Sequence, residues 1–292
     1  MVSLSSSWQT PINVRVLNRA EATPAASANV AVYDALEHET YIDEAPHLKH
    51  ESLLRLYAKL TDVVRGLLGK HASETRVLDL GAGEGSVTLR FLEAGSRVTA
   101  VDSSERQLSY LRSRAAPYSE RLTVSQGDVF EVLRDQRAAG ETYDLIISNS
   151  FLHHIPDYQQ LVRQATELLN PKGVLFTFQD PLRFSKLGMP VRAFTGAAYF
   201  AWRVSRPDII GGMGRRIRRT FGVYRDDCPE DNAEYHVVRD GVDVELIAST
   251  LRDSGMKVDI VRYFSTQSPL WQRLGTRLGI LNTFAVIAQR EH

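Results

Sequence analysis

Three aspartates stand at the ends of predicted buried strands, where a parallel sheet binds its ligands. Asp79 lies in the first apolar run, Asp102 ends the second and Asp128 follows the third. Because the carboxyl ends of parallel strands meet at one edge of a sheet, we expect the three carboxylates to line one crevice. An aspartate at a strand end can also simply cap the next helix, so the prediction depends on all three together.

A glycine-rich turn follows the first of these strands, with Gly81, Gly83 and Gly85 at alternate positions. Glycine lets a backbone approach a ligand closely, and the next helix directs its N-terminal amides at the same place. A dinucleotide fingerprint would place its third small residue at Ser86, one position later, so the spacing disfavours NAD. Asp79 would repel a pyrophosphate and attract a sulfonium and an ammonium, as in S-adenosylmethionine. A glycine-rich turn without a ligand is the alternative.

The other two aspartates suit the remaining parts of that cofactor. Asp102 follows Asp79 by 23 residues, close to the spacing of about 20 at which an acid meets ribose hydroxyls in doubly wound sheets. Asp128 would lie beside the same crevice and accept a hydrogen bond from the adenine amino group. We therefore predict Asp102 as the ribose ligand and Asp128 as the adenine ligand.

The run from Leu78 to Gly85, together with Val101-Asp102-Ser103 and Gly127-Asp128-Val129, resembles the class I S-adenosylmethionine-dependent methyltransferases that act on small molecules. The resemblance covers about residues 76–180, including the strand and loop at 143–157. It implies that the backbone at the end of the fourth strand contacts the cofactor, in addition to the glycine-rich turn and the three aspartates. The implied cofactor-binding residues are Asp79, Gly81, Ala82, Gly83, Asp102, Ser103, Gly127, Asp128, Val129, Asn149 and Ser150.

Adjacent histidines, His153 and His154, follow the fourth predicted strand of the core. The sulfonium is already an electrophile, so methyl transfer needs an aligned acceptor and, for a hydroxyl, removal of a proton. Histidine suits proton removal near neutral pH. The resemblance implies that His154 faces the acceptor, and we predict it as the base, with His153 and His236 next. The alternative is that both adjacent histidines only hydrogen-bond the loop; no ligand spacing indicates a metal site.

Strands and helices alternate from residue 76 to 178 with short connections, which predicts a parallel sheet with helices on both faces. The last predicted strand, Thr283 to Gln289, is expected to run antiparallel at or near the edge. The predicted fold class is α/β: a doubly wound, Rossmann-like, mostly parallel seven-stranded sheet with an antiparallel last strand, a helical N-terminal lid and a cap inserted after the fifth strand.

Composition divides the chain into five parts. We predict a mobile tail at residues 1–29, in which 12–16 could form a strand, and a helical lid at 30–70. The cofactor-binding core is predicted at 71–181, a substrate cap at 182–239 and the completion of the core at 240–292. The lid helices, at 30–40 and 44–68, cover either the sheet or a cofactor pocket that Tyr41 would then contact. The arginine-rich run 215–219 in the aromatic cap is either a solvated helix face or an anion clamp.

The overall composition excludes several function classes. Of 292 residues, 43% are hydrophobic and 24% are charged, and 35 basic residues balance 35 acidic ones, which gives no global attraction to nucleic acid. The one cysteine, Cys228, excludes an internal disulfide and a cysteine metal site. The sequence shows neither a leader nor a spanning segment, so we expect a cytoplasmic monomer or homodimer without stable membrane insertion.

Together these features predict methyl transfer from S-adenosylmethionine to a small molecule, at oxygen in a natural product, glycoside or lipid-linked acceptor. Nitrogen and carbon acceptors remain open. So does a cyclase that uses the cofactor's charge without transferring its methyl group. A non-catalytic binding subunit is disfavoured by the three aspartates, and a dehydrogenase by the glycine spacing.

Overall fold

The computed structural model of the chain describes residues 13–16, 28, 30, 31, 45–204 and 235–291. Tyr41, Cys228, the arginine run 215–219 and most of the first predicted lid helix lie outside these residues. The predictions that concern them therefore stay predictions.

One sheet forms the centre of the molecule, with its strands in the order β1-β4-β3-β2-β5-β6-β8-β7. β8 runs antiparallel to both of its neighbours, whereas the other pairs are parallel. The strands are β1 (Asn13–Val16), β2 (Arg76–Leu80), β3 (Arg97–Asp102), β4 (Leu122–Gln126), β5 (Tyr143–Asn149), β6 (Leu169–Pro181), β7 (Met256–Tyr263) and β8 (Thr283–Arg290).

This topology confirms the predicted fold class, with one strand more among the described residues. From β2 the chain builds the sheet outward through β3 and β4, then crosses to the other side of β2 for β5 and β6. That reversal opens a crevice at the carboxyl ends of β2 and β5, where ligands of such folds bind. The eighth strand is β1, which pairs with β4 and corresponds to the short strand that the sequence allowed at residues 12–16.

Ten helices with described bounds accompany the sheet. None of these helices is both long and apolar enough to cross a bilayer. They are α1 (Pro46–Lys49), α2 (Glu51–Leu68), α3 (Ser86–Glu93), α4 (Glu105–Arg114), α5 (Val129–Ala138), α6 (Tyr158–Glu167), α7 (Met189–Val204), α8 (Tyr235–Arg239), α9 (Val244–Asp253) and α10 (Pro269–Arg277), with short 3₁₀ turns at Ala72–Glu74, Ala116–Arg121, Leu152–His154 and Phe184–Lys186.

The central strands are apolar throughout because both faces of the sheet are covered. Successive side chains of a strand point to opposite faces. Val77 and Ile147 accordingly belong to the core cluster on the α2 and α3 side, whereas Leu78 and Ile146 belong to the cluster on the α5, α6 and α9 side. All four side chains are at most 1% exposed. Continuous burial fixes the register of these strands, and with it the positions of the residues at their ends.

The second predicted lid helix is broken in two. His50 has extended backbone angles, φ −86° and ψ 117°, so α1 ends before it and α2 begins after it. Its ring Nε2 donates to the carbonyl of Thr266 at 2.8 Å. The break therefore places a side chain of the lid against the loop that follows β7.

We predict opposite stability effects for two glycine substitutions. Gly85 has φ +88°, and a Cβ there would lie 2.3 Å from Cδ1 of the buried Leu111. Gly66 lies within α2 with no atom within 4 Å of its Cβ position. Gly85→Ala should lower the free energy of unfolding by about 1–3 kcal/mol, and Gly66→Ala should raise it by up to about 1 kcal/mol. Urea unfolding of both variants measures this; a Gly85→Ala variant as stable as wild type would contradict the strained turn.

Candidate active site

The glycine-rich loop after β2 is attached to the neighbouring strand. The amides of Gly81 and Ala82 both donate to the carbonyl of Val101 on β3, each at 2.9 Å. Gly81 has φ +73°, and a Cβ there would lie 2.3 Å from the ring of Phe151. Only glycine meets both conditions without strain. The predicted tight turn therefore forms, and it is closed from above by the loop after β5.

Asp102 connects that loop to the end of β3. Its Oδ2 accepts from the amide of Gly83 at 2.8 Å, and its Oδ1 accepts from the amide of Ser104 at 2.9 Å. A carboxylate has about four acceptor positions, so this residue type can accept from a ligand as well as from backbone amides. The predicted ribose ligand thus lies at the crevice, beside Ser103, and also fixes the shape of the loop.

Asp79 is almost fully buried beneath the loop, with 1% of its surface exposed. Thr88 of α3 donates its hydroxyl to Oδ2 at 2.5 Å. Burial, and to a smaller extent the charge of Asp102, raise the pKa of Asp79 to about 7, against the hydrogen bond from Thr88, which lowers it. No lysine or arginine of the described residues pairs with it, so a cationic group of a ligand would be its natural partner.

Asp128 is occupied as a helix cap. Its Oδ1 accepts from the amide of Phe130 at 2.9 Å, which caps α5. The amide of Gly127 donates to the carbonyl of Asp102 at 3.1 Å, and Val129 is buried in the core. The end of β4 therefore lies beside the end of β3 as predicted, while the contact with adenine stays a prediction.

A histidine from the lid meets the end of β5. Nδ2 of Asn149 lies 3.0 Å from Nε2 of His47, so the amide donates and the ring carries its proton on Nδ1. Burial lowers the pKa of His47 to about 3, with smaller effects of Arg90 and His153 in the same direction. Nδ1 of His47 and Oδ1 of Asn149 are buried without a hydrogen-bond partner.

The two unsatisfied atoms border one cleft. Its lining is His47, Leu48, Asp79, Gly81, Ala82, Glu84, Ser86, Val87 and Asn149. A buried donor and a buried acceptor left without partners are costly unless a ligand satisfies them. Next to Asn149, Ser150 has φ +52° and donates its amide to the carbonyl of Phe178 at 2.7 Å, so this amide is used within the fold, and a backbone contact with the cofactor stays a prediction.

His153 forms a two-point contact with a carboxylate that the sequence analysis did not single out. Its amide and its ring Nδ1 lie 3.1 and 2.8 Å from Oδ1 of Asp180, which is fully buried at the end of β6. Burial lowers the pKa of His153 to about 3 and raises that of Asp180 to about 7. The imidazole is therefore neutral at physiological pH and donates Nδ1–H to the carboxyl group.

A β-bulge positions Asp180. The pairing of β6 with β8 shifts register between Phe178 and Asp180, and the residue between them, Gln179, has φ +73°. The hydroxyl of Tyr263 accepts from the amide of Gln179 at 2.9 Å and stabilises this conformation. A bulge changes the direction of the side chain that follows. No local sequence signal marks the bulge. The position of Asp180 at the end of a predicted strand is the one signal that could have identified this residue.

The remaining two predicted histidines have different surroundings. His154 is buried, and its ring centroid lies 4.0 Å from that of His153. His236 of α8 donates Nε2–H to the carbonyls of Ile155 and Pro156 at 2.9 and 3.2 Å. His236 therefore holds the loop that carries the other two, and the ring nitrogen that faces this loop is already used.

One buried ion pair was missed by the sequence analysis. Glu84 of the glycine-rich loop is 2% exposed and pairs with Arg114 at the end of α4. Its Oε1 also accepts from the amide of Ser86 at 3.1 Å. The two partners are 30 residues apart, so only the fold brings them together.

Across the described ranges, no cluster of three or more histidine, cysteine or acidic side chains could hold a metal ion.

We predict that Asp79 costs stability and is needed for binding. The pKa of Asp79 is about 7 in the folded chain against an ordinary value of 3.8. The contribution of Asp79 to the free energy of unfolding is therefore fully present below about pH 4 and is lost as the pH rises through 7. Asp79→Asn should therefore raise the free energy of unfolding at pH 8 by about 1–4 kcal/mol, while weakening S-adenosylmethionine binding. Urea unfolding at pH 5 and 8 and calorimetry measure both effects. Wild-type cofactor affinity in the variant would remove Asp79 from the site.

Part of the chain is similar in sequence to known methyltransferases. Residues 71–183 match the family described as Methyltransferase domain. A ubiquinone biosynthesis O-methyltransferase of Actinobacillus pleuropneumoniae is 29% identical over 130 residues, 44% of this chain and 50% of the relative. A 27-O-demethylrifamycin SV methyltransferase of Amycolatopsis mediterranei is 30% identical over 143 residues, 48% and 49% of the two chains. The chain thus matches these relatives over about half of their length.

Solved structures share the fold at low identity. A geranyl diphosphate C-methyltransferase of Streptomyces coelicolor aligns with a TM-score of 0.55, 13% identity, and coverage of 93% of this chain and 100% of the other. A magnesium protoporphyrin IX methyltransferase of Synechocystis aligns with a TM-score of 0.52 at the same identity and coverage. The matched segment begins just before β2 and ends just after β6, so it contains the glycine-rich loop, Asp102 and the loop of the paired histidines. Residues 71–183 of this chain are thus similar in sequence to the methyltransferase domain family, and the chain shares its fold with solved methyltransferases, one of them with bound S-adenosylmethionine.

Proposed function

We propose that the chain transfers the methyl group of S-adenosylmethionine to a hydroxyl group of a bulky, apolar small molecule, with His153 as the general base and Asp180 as the residue that orients it. The observation that carries the proposal is the 2.8 Å contact between Nδ1 of His153 and the buried carboxyl group of Asp180. It lies at the carboxyl ends of the strands, on the loop after β5.

The residues of the cleft fit the cofactor by their chemistry. Oδ1 of Asn149 needs a donor and Nδ1 of His47 needs an acceptor, and the amino acid part of S-adenosylmethionine offers an ammonium and a carboxylate. The buried carboxyl group of Asp79 suits the positive charge, and the carboxylate of Asp102, on the neighbouring strand end, is a group that accepts from hydroxyls such as those of ribose. When bound, the cofactor supplies a methyl group that is already activated by the sulfonium.

The contact with Asp180 prepares His153 for proton removal. Donation of Nδ1–H to the carboxyl group fixes the tautomer, which leaves Nε2 as the nitrogen that can accept a proton. Because burial lowers the pKa of His153 to about 3, the ring is neutral near pH 7. The sequence analysis placed the base first at His154; the carboxyl partner now favours His153, and we make it the first candidate.

The acceptor side of the proposal depends on the cap and on the relatives. Phe194 of α7 makes edge-to-face contacts with Phe264 and Trp271, with ring centroids 5.5 and 5.1 Å apart, so the described part of the cap packs on aromatic side chains of the segment that completes the core. One of the two relatives above is named as an O-methyltransferase and the other as a methyltransferase of 27-O-demethylrifamycin SV, and both names support oxygen over nitrogen or carbon. We therefore propose an apolar metabolite of secondary metabolism, methylated in the cytoplasm.

The first test is product analysis. Purified protein with S-adenosylmethionine and a panel of catechols, hydroquinones and macrocyclic polyketide alcohols should form S-adenosylhomocysteine and O-methylated product in equal amounts. Mass spectrometry of both products measures this. Conversion of an acceptor without S-adenosylhomocysteine would show a cyclase instead, and methylation only of amines or activated carbons would overturn the assignment to oxygen.

The second test addresses the base. His153→Ala and Asp180→Asn should each lower kcat by about 10²–10⁴, the usual range for general-base catalysis, with cofactor affinity unchanged. Because burial raises the pKa of Asp180 to about 7, the carboxylate that holds Nδ1–H forms as the pH rises. The wild-type kcat should therefore increase through one ionisation near pH 7, and Asp180→Asn should lose this dependence.

A neighbouring variant is the control for this test. The ring centroid of His154 lies 4.0 Å from that of the proposed base, His153. His154→Gln keeps a hydrogen-bonding group at this position, and its kcat should stay within a few-fold of wild type. If His154→Gln loses activity and His153→Ala does not, the base is His154.

A further inference from the structure

Helix α10 buries a polar residue and exposes leucines. Gln272 is 2% exposed, whereas Leu270, Leu274 and Leu278, the residue that follows the last turn of the helix, are 74%, 43% and 60% exposed. The side chain of Gln272 accepts from the amide of Thr266 at 3.0 Å and donates to the carbonyl of Phe264 at 2.8 Å. The helix is therefore held in place by its polar face, and its leucines are left without a role in the core.

The exposed leucines share one side of the helix. At 3.6 residues per turn, Leu270, Leu274 and Leu278 fall within an arc of about 80°. Arg273 and Arg277, both exposed, lie along one edge of this arc. We call Leu270, Arg273, Leu274, Arg277 and Leu278 the leucine–arginine face. Its geometry is that of a helix whose apolar side is directed outward.

The cap helix α7 adds a second exposed stripe next to it. Met189, Phe200 and Val204 are 73%, 54% and 50% exposed and lie within an arc of about 60°. The contact of Phe194 with Trp271 joins the two helices. Both helices of this contact thus carry exposed apolar side chains, and an accumulation of exposed apolar side chains on a protein surface marks an interaction site.

The charge of this surface is one-sided although the whole chain has net charge zero. The segments that build it, residues 182–204 and 264–281, contain no aspartate or glutamate and six lysines and arginines. Arg183 and Lys186 pair with Asp243. Arg273 and Arg277 have no carboxylate within salt-bridge distance in the described part of the chain. The two arginines beside the leucines are therefore available to an anionic partner.

We propose that the leucine–arginine face docks on the surface of a bilayer that contains anionic phospholipid. Leucines on such a helix enter the boundary between headgroups and acyl chains, and the neighbouring arginines pair with phosphates. A second copy of this chain fits less well, because a twofold contact would bring like-charged arginines together. The proposal concerns peripheral binding and does not depend on the proposed reaction.

The test is co-sedimentation of the full chain with two kinds of vesicle, phosphatidylcholine alone and phosphatidylcholine mixed with phosphatidylglycerol. Wild type should bind the mixed vesicles and lose binding as salt is added. The double variant Arg273→Gln, Arg277→Gln should weaken binding about fivefold for each arginine removed. The double variant Leu270→Gln, Leu274→Gln should weaken it at least about tenfold. All four side chains are exposed, so wild-type thermal stability is expected.

Matched pairs on other helices control for general surface effects. Val63→Gln, Leu67→Gln changes two exposed apolar residues of α2, and Arg134→Gln, Arg252→Gln removes two exposed arginines; both should bind vesicles as wild type does. Equal binding to neutral vesicles, absence of binding, or equal losses in the control pairs would overturn the proposal. A dimer detected by light scattering that the leucine variant dissociates, without vesicle binding, would assign the face to self-association instead.

Discussion

Asp102 is the residue on which the geometry of the crevice depends. Its carboxylate accepts from the amides of Gly83 and Ser104, and its own carbonyl accepts from the amide of Gly127. Three strand-end loops are thus fixed to one residue. Charge-assisted bonds to backbone amides are strong and directional, so the backbone of the glycine-rich loop is shaped before any ligand arrives. A residue of this kind supports the fold and the site at once.

Elsewhere the site keeps groups that a stable core would avoid. Asp79 and Asp180 are buried carboxyl groups whose pKa values burial raises to about 7, and Nδ1 of His47 and Oδ1 of Asn149 are buried without partners. Each arrangement opposes folding. Their concentration at one sheet edge, on elements that are otherwise well packed, is typical of a functional site, where stability is sacrificed for prepared polar groups.

Segments that precede and follow the core complete the surroundings of this sheet edge. The lid contributes His47 to the cleft, and His50 ties the same segment to the loop after β7. That loop leads into α10, which packs against the cap helix α7 through Trp271 and Phe194. Lid, cap and outward-facing leucines therefore form one continuous region of the molecule, which connects the proposed methyl-transfer site to the proposed membrane-binding face.

The sequence by itself determined the sheet, its helices and the cofactor edge, because these depend on local pattern: apolar runs for buried strands, glycines for the turn, and acids such as Asp102 at strand ends. Only the tertiary structure decided the rest. It paired His47 with Asn149 and His153 with Asp180, residues 102 and 27 positions apart. It also broke the lid helix at His50 and turned leucines outward on α10. Such features depend on which distant surfaces meet, and no spacing along the chain records that.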